Sequence, residues 1–414
     1  MTKRKPSLWF CLLYIVPLVS CLGHIATAQN VKTGADNLFD TNYSLIKGKK
    51  VVLVTHAAAR VYTGRSTAEE FKRTKEITLL RILTPEHGYY GVVSAGKFVD
   101  NNNLEGTSLV SLYGANRQPT RQQLEDADVV VVDLQDIGSR SYTYGSTMIE
   151  VMEACAKYNI QMVVLDRPNP LGGLMVDGSL PDPSQVSFVC RLPIPYVHGM
   201  TLGELAKMAN GMGWLSTDES GKPRTCSLTV VRAKRWTRDM TWEQTGLPWY
   251  PTSPNIPTLN SVRTYPVTGV LGELGKASIG IGTAMPFMVV ALPGLRTDTA
   301  LIQRLSGFGV LAMKCQINPT SGMFAGTLCN GYYLSYRADS TVRPFTTGMA
   351  LITWLRDAGA ITIEGSKNSM FVKVCGTPDY YNMLVANKPW SEIERRALRG
   401  LNEFKIARAP YLLY

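Results

Sequence analysis

Residues 129–145 read VVVVDLQDIGSRSYTYG. The run Val129–Val132 is β-branched and shows no alternation of apolar and polar positions. A strand of this kind needs cover on both faces, which a parallel sheet between two helical layers provides. The run ends in Asp133, and Gln135, Asp136, Arg140, Tyr142 and Tyr144 follow within eleven residues. In open parallel sheets, ligands collect beyond the carboxyl ends of the strands. This one stretch therefore predicts both the fold class and the edge on which the chemistry lies.

Working outward, similar runs occur at Val51–Thr55, Leu79–Leu83 and Gln161–Leu165, with a shorter one at Ile194–Tyr196. Helical patterns separate them. Thr120–Ala127 reads as a short helix. Ser146–Tyr158 carries Met148, Val151, Met152 and Cys155 at helical spacing. Thr201 followed by Glu204 is a capping box opening a helix through Ala209. Strands alternating with helices predict an α/β protein with an open, mostly parallel sheet. From Trp236 to Thr268 the composition changes: Pro248, Trp249, Pro251, Pro254, Asn255 and Pro257 suggest a long ordered connection to a second domain. Trp390–Ala407 predicts a C-terminal amphipathic helix, closed by Pro410. We divide the chain into a leader, residues 1–28, a sheet domain, residues 29–240, and a C-terminal domain, residues 241–414.

Lys3, Arg4 and Lys5, the apolar run Trp9–Val19 and the small-residue pattern Ala26-Thr27-Ala28 form an export signal. Leu18-Val19-Ser20-Cys21 offers a rival ending, a lipobox leaving Cys21 as a lipid-bearing N-terminus. We therefore expect an exported protein, either periplasmic or tethered to the membrane as a lipoprotein. Removing the leader lowers the formal charge from +11 to +8. The balance stays basic and favours acidic partners. Nucleic acid is the weakest of these, because no basic run is interleaved with aromatics. Six cysteines remain, Cys155, Cys190, Cys226, Cys315, Cys329 and Cys375, with neither C-x-x-C pairs nor zinc spacing. Their pairing and the oligomeric state are not legible.

The polar residues behind the strands are the site candidates. His56 follows the first run; Glu86 and His87, in Pro85-Glu86-His87-Gly88, follow the second. Asp166, Arg167 and Asn169 follow Gln161–Leu165, and His198 follows Ile194–Tyr196. Each has a structural alternative. Glu86 could cap a turn, and His87 could only brace its loop. Asp133 and Asp136 could satisfy backbone donors. Arg140 and Arg167 could pair with those aspartates as buried bridges. His56, His87 and His198 could converge on a metal, though no H-x-x-x-H spacing supports it. The chain has no G-x-S-x-G elbow, Walker motif or G-x-G-x-x-G after its first strand. Carboxylate chemistry remains, and glycoside hydrolysis is one form of it: two carboxyl groups, one protonated and one ionised. Tyr, Trp and Asn side chains suit sugar rings.

Several strings, in this order, resemble the peptidoglycan exo-β-N-acetylmuramidases of the NamZ type. They are Pro85-Glu86-His87-Gly88, Ser111-Leu112-Tyr113-Gly114, Asp133–Gly138 with Arg140 and Tyr142-Thr143-Tyr144, Leu165–Pro170, His198–Thr201, Leu247-Pro248-Trp249, Ser253–Thr258 and Tyr411–Tyr414. The resemblance spans Val51–Tyr414. It implies a Rossmann-like domain, a smaller α+β C-terminal domain and an active site between them. It also implies release of N-acetylmuramic acid from the non-reducing end of peptidoglycan fragments, without metal or organic cofactor. On this reading Glu86 is the general acid or acid/base, oriented by His87, and Glu273 or Asp136 is the second carboxylate. Asp133, Arg140, Tyr142, Arg167, Asn169, His198 and Asn255 bind substrate, with Arg140 or Arg167 clamping the lactyl carboxylate. Ile279 and Ile281 stand where relatives carry a glutamate and an arginine. That departure keeps a second reading open, a glycan-binding protein without catalysis; a metal-dependent hydrolase is a third.

Overall fold

The computed structural model describes residues 30–97, 102–104, 106–114, 117–336, 341–364 and 369–414. The leader, with Cys21 and the Ala26–Ala28 pattern, lies outside the described residues. Seven strands form the main sheet: β1 (Lys50–Thr55), β2 (Thr78–Thr84), β3 (Asn102–Leu104), β4 (Thr107–Ser111), β5 (Val129–Asp133), β6 (Gln161–Leu165) and β7 (Leu228–Val231). Their order is β3-β4-β2-β1-β5-β6-β7. All neighbours are parallel except β3 and β4. The chain builds outward from β1 to one side, then crosses back to β5, so the order reverses between β1 and β5.

The burial pattern explains why the central strands read as unbroken apolar runs. Val52, Val54, Val130, Val132 and Val164 enter one core; Val51, Leu53, Val129, Val131 and Val163 enter another on the opposite face. The second core is closed by α1 (Gly34–Asp40) and α2 (Thr67–Arg73), through Leu38 and Phe71. The first is closed by α3 (Tyr144–Tyr158) and α4 (Leu202–Gly211) and runs on into the C-terminal domain. Burying each such side chain is worth about 1.5–3 kcal/mol. The Thr201–Glu204 capping box starts α4 as its sequence predicts.

The C-terminal domain opens with α5 (Leu259–Leu274), followed by β8 (Val289–Leu292), α6 (Thr299–Gly307), β9 (Leu311–Ile317) and β10 (Cys329–Ser335). Then come α7 (Pro344–Asp357), α8 (Met370–Cys375), α9 (Asp379–Val385), α10 (Trp390–Ala397) and α11 (Leu401–Arg408). The three strands form an antiparallel sheet, β8-β10-β9. Among the described residues no helix is long and apolar enough to cross a membrane.

Four local expectations are corrected. The Pro-rich connection stops at Thr258, whose side chain caps α5, and Leu259–Leu274 is helix despite Pro266 within it. An internal proline costs about 3 kcal/mol; close packing on α7 offsets it, since a Cβ on Gly348 would lie 2.3 Å from the Val267 carbonyl oxygen. Trp390–Ala407 is two helices, because Gly400 adopts a left-handed φ of 81° between them. Thr120–Ala127 holds only a 3-10 turn, Gln122–Leu124, and Asp126 has a φ of 62° just beyond it. Ile194–Tyr196 is not a strand; the adjacent Val197 makes isolated bridges to Ser139 and Asp177.

Candidate active site

The chain turns sharply where β2 ends. The Gly88 N–H donates to the Pro85 carbonyl at 3.1 Å, and His87 has a left-handed φ of 72°. For a residue with a Cβ that conformation costs roughly 1–2 kcal/mol. The imidazole helps hold it: Nδ1 lies 2.7 Å from the Val93 carbonyl oxygen. A carbonyl only accepts, so Nδ1 carries the proton and Nε2 is the basic nitrogen of the neutral ring. The turn directs Glu86 inward, where it is buried. Its Oε1 accepts from the Gly96 N–H at 3.0 Å, and its Oε2 from the Thr143 hydroxyl at 2.6 Å. The Tyr113 phenol, just beyond β4, also hydrogen-bonds Glu86; burial, then the charge of Glu86, pushes that phenol up to about 12.

Thr143 is the residue ahead of α3, and its hydroxyl makes no cap to its own helix. Glu86 thus lies at the positive end of a fifteen-residue helix, which favours negative charge there. Tyr142 and Tyr144 both reach the same residue of the 249–256 strap: their hydroxyls donate to Thr252 Oγ1 at 2.7 Å and to the Thr252 carbonyl at 2.8 Å. Ser141 and Tyr265 meet at 3.2 Å across the domain boundary.

Opposite stands Glu273, in the last turn of α5. Glu86, His87, Tyr142, Asn255 and Glu273 line one cleft of about 290 Å³ between the two domains. Water reaches the Glu273 side chain, yet protein surrounds it closely enough that partial loss of hydration, then the charge of Glu86, raises its pKa. Among the described residues it has no hydrogen-bond or ion-pair partner. The two carboxyl groups therefore differ in kind: one is fixed by three donors, the other has none among the described residues and a pKa raised by lost hydration.

The other sequence candidates lie behind this cleft. Asp133 accepts from Arg167 Nε at 2.5 Å and Nη2 at 2.9 Å, and from the Thr67 hydroxyl. Arg167 gives its remaining nitrogen to the Arg60 carbonyl at 2.9 Å. Arg140 donates to the carbonyls of Ser179, Ile194, Val374 and Cys375 at 2.6–3.2 Å, tying α8 of the C-terminal domain to the sheet domain. Neither guanidinium lines the cleft. Asn169 accepts from the Leu171 N–H and donates to the Met200 carbonyl, an internal turn brace.

Asp136 accepts from the Gly138 N–H at 2.8 Å and lies 3.9 Å from His198 Nε2. Burial pushes Asp136 up to about 7 and His198 down to about 3, so the pair is not an ion pair near neutrality. His56 accepts from the Gln135 N–H. The three histidines do not converge; among the described residues no group of three or more His, Cys, Asp or Glu could hold a metal ion.

Three contributors were not singled out from sequence. Thr143 and Tyr265 occupy positions that also suit plain packing, and only the fold brings them to the carboxylates. Arg117, after β4, lies with its guanidinium 4.1 Å from the Phe188 ring centroid and 5.6 Å from that of Tyr113, placing a cation beside a cleft wall. The two isoleucines have packing roles: Ile279 fits under Gly272, next to Glu273, and Ile281 packs on Gly322.

Residues 51–260 match the family described as exo-beta-N-acetylmuramidase NamZ, N-terminal, and residues 263–414 its C-terminal counterpart. The chain is 33% identical over 394 residues to the peptidoglycan beta-N-acetylmuramidase NamZ of Bacillus subtilis (strain 168), covering 94% of this chain and 92% of that protein. Two crystal structures of DUF1343 family proteins from Bacteroides fragilis NCTC 9343 superpose on it. One has a TM-score of 0.84 at 33% identity, the other 0.72 at 29%; each covers 93% of this chain and 99% of the other.

Proposed function

Because this chain belongs to the NamZ family of exo-β-N-acetylmuramidases, we propose that it releases N-acetylmuramic acid from the non-reducing end of peptidoglycan fragments, across the cleft between Glu86 and Glu273. The family match covers both domains that build this cleft. The observation that carries the reading is the unlike pair of carboxyl groups, one on each wall.

Hydrolysis of a glycoside requires a proton for the departing oxygen and a carboxylate that acts on, or through water on, the anomeric carbon. A carboxyl group with raised pKa suits the first task, and a hydrogen-bonded carboxylate suits the second. We therefore assign the proton to Glu273 and the ionised role to Glu86, a reversal of the division read from sequence. The proton of Glu273 passes to the leaving oxygen as the C1–O bond breaks. Water supplies the new C1 hydroxyl, and its other proton returns to the carboxylate pair. His87 braces the loop that aims Glu86. Tyr142 and Asn255 form walls for the sugar, and we assign the lactyl carboxylate to Arg117, whose guanidinium lies 5.6 Å from the ring centroid of Tyr113 on the cleft wall. The leader supports a periplasmic or lipid-tethered location, where such fragments arise.

Incubation with the β-1,4-linked disaccharide of N-acetylmuramic acid and N-acetylglucosamine tests the reading. We expect both free sugars to appear. Binding without cleavage would instead support the non-catalytic reading that Ile279 and Ile281 motivate.

A further inference from the structure

A second pocket lies on the same edge of the sheet, away from the catalytic cleft. It has a volume of about 140 Å³ and shares no lining residue with the cleft. Its walls come from the loop after β1, with Arg60 and Tyr62; from Gln135 after β5; from Arg167 after β6; and from the strap carrying Trp242, Trp249 and Tyr250. Since the strand order reverses between β1 and β5, the pocket occupies the crevice where open α/β sheets hold ligands. The mechanism makes no use of it.

The chemistry of its walls is specific. Trp242 and Trp249 meet edge-to-face at 5.3 Å between ring centroids. Indole faces of this kind suit the apolar C–H face of a sugar ring. Trp242 is 4% exposed, and among the described residues its indole N–H has no acceptor. The Arg60 guanidinium lies 5.0 Å from the Tyr250 ring centroid, its buried Nε also unpartnered. Its Nη1 donates to the Gly64 carbonyl at 2.6 Å, and among the described residues no carboxylate pairs with it. Arg167, by contrast, is neutralised by Asp133. Gln135 gives its amide N–H groups to the Asp136 and Pro168 carbonyls, leaving its Oε1 as an acceptor. The pocket thus combines aromatic faces, an unpaired cation, an unmet N–H and one free acceptor.

We propose that this pocket is a second carbohydrate site that takes a saccharide ring bearing a carboxylate. The ring lies against the half-buried indole of Trp249, the carboxylate meets Arg60, and a ring substituent accepts from Trp242 Nε1 behind it. Tyr250 and Ser253 are three residues apart on the strap, so at most roughly 10 Å of chain separates these points of the pocket wall and the cleft wall. A neighbouring glycan strand, or a released sugar, is within reach of both sites.

The test reads binding, not turnover, so it stands or falls apart from the hydrolase assignment. Among the described residues no tryptophan lines the cleft, whereas two line the pocket. Trp249 also donates to the carbonyl of Ile256 on the cleft wall, so a change in tryptophan fluorescence is assigned to the pocket by its loss in Arg60→Ala. The full chain is titrated with N-acetylmuramic acid and, separately, with N-acetylglucosamine, which lacks the carboxylate. The expected result is a saturable change with the first sugar and at least tenfold weaker binding of the second. Arg60→Ala should weaken the acidic sugar at least tenfold. Trp242→Phe, which keeps an aromatic wall and removes the N–H, should weaken it severalfold, and it decides the matter if Arg60→Ala fails to fold. Equal binding of the two sugars, no saturable change, or unaltered affinity in a folded variant would overturn the proposal.

Discussion

The Thr143 hydroxyl donates to Glu86 Oε2 at 2.6 Å and leaves its own helix uncapped. A capping bond is worth about 0.5–2 kcal/mol to a helix. Here that interaction is directed at a carboxylate on another loop, and the N-terminus of α3 is turned toward the same group. The sheet domain thereby fixes one carboxylate firmly, while the C-terminal domain presents the other without a partner.

Thr143→Val keeps the shape of the side chain and removes the donor. Hydrogen bonds to charged groups contribute about 1.5–3 kcal/mol, so turnover should fall roughly 10- to 150-fold. The loss should appear in kcat more than in KM, because Thr143 positions Glu86 and does not line a sugar subsite alone. Steady-state kinetics on the disaccharide checks the split.

Glu273→Gln tests the division of roles. A general acid matters most when the leaving group is poor. The variant should lose at least a hundredfold on the disaccharide and far less on a nitrophenyl glycoside, whose leaving group needs little protonation. Wild-type rate on the disaccharide should decline as pH rises and Glu273 loses its proton, and the variant should lack that decline. Equal losses on both substrates would move the proton to another group.

Arg117→Ala should raise KM for N-acetylmuramic acid glycosides about tenfold and leave kcat within twofold. The corresponding N-acetylglucosamine glycoside, which lacks the lactyl group, should not sense the change. Comparing KM for the two substrates decides it.

Asp136 links burial to pH. Its folded pKa is raised to about 7, so its stabilising contribution is present below the unfolded value near 3.9 and is lost as pH rises through about 7. Asp136→Asn keeps an acceptor for the Gly138 N–H and cannot ionise. Its melting temperature should match wild type near pH 4 and exceed it by several degrees at pH 8. Thermal melts across that range supply the check.

The strands β1, β2, β5 and β6 were legible because their valines and leucines face two cores and leave no alternation to misread. The short strands β3, β4 and β7, at the two ends of the sheet order, were not, since β4 and β7 are only partly covered and β3 is three residues long. Pro266 hid α5, because only packing against α7 makes an internal proline tolerable. At the site, the turn after β2 was legible as a place where chemistry could lie. Position behind a strand could not separate Glu86, at the cleft, from Asp133, neutralised by Arg167 behind it; only the family resemblance set Glu86 apart. Nor could it show that both terminal nitrogens of Arg140 are taken up by four carbonyls, because those acceptors come from positions 179 to 375.

The central claim is that Glu86 performs chemistry in a glycosidase. The most direct measurement is hydrolysis of a chromogenic β-glycoside of N-acetylmuramic acid by wild type and by Glu86→Gln, with thermal melts of both. The account predicts release by wild type, a loss of at least a thousandfold in the variant, and melting temperatures within a few degrees of each other. A folded Glu86→Gln protein that hydrolyses the substrate at near wild-type rate would contradict it.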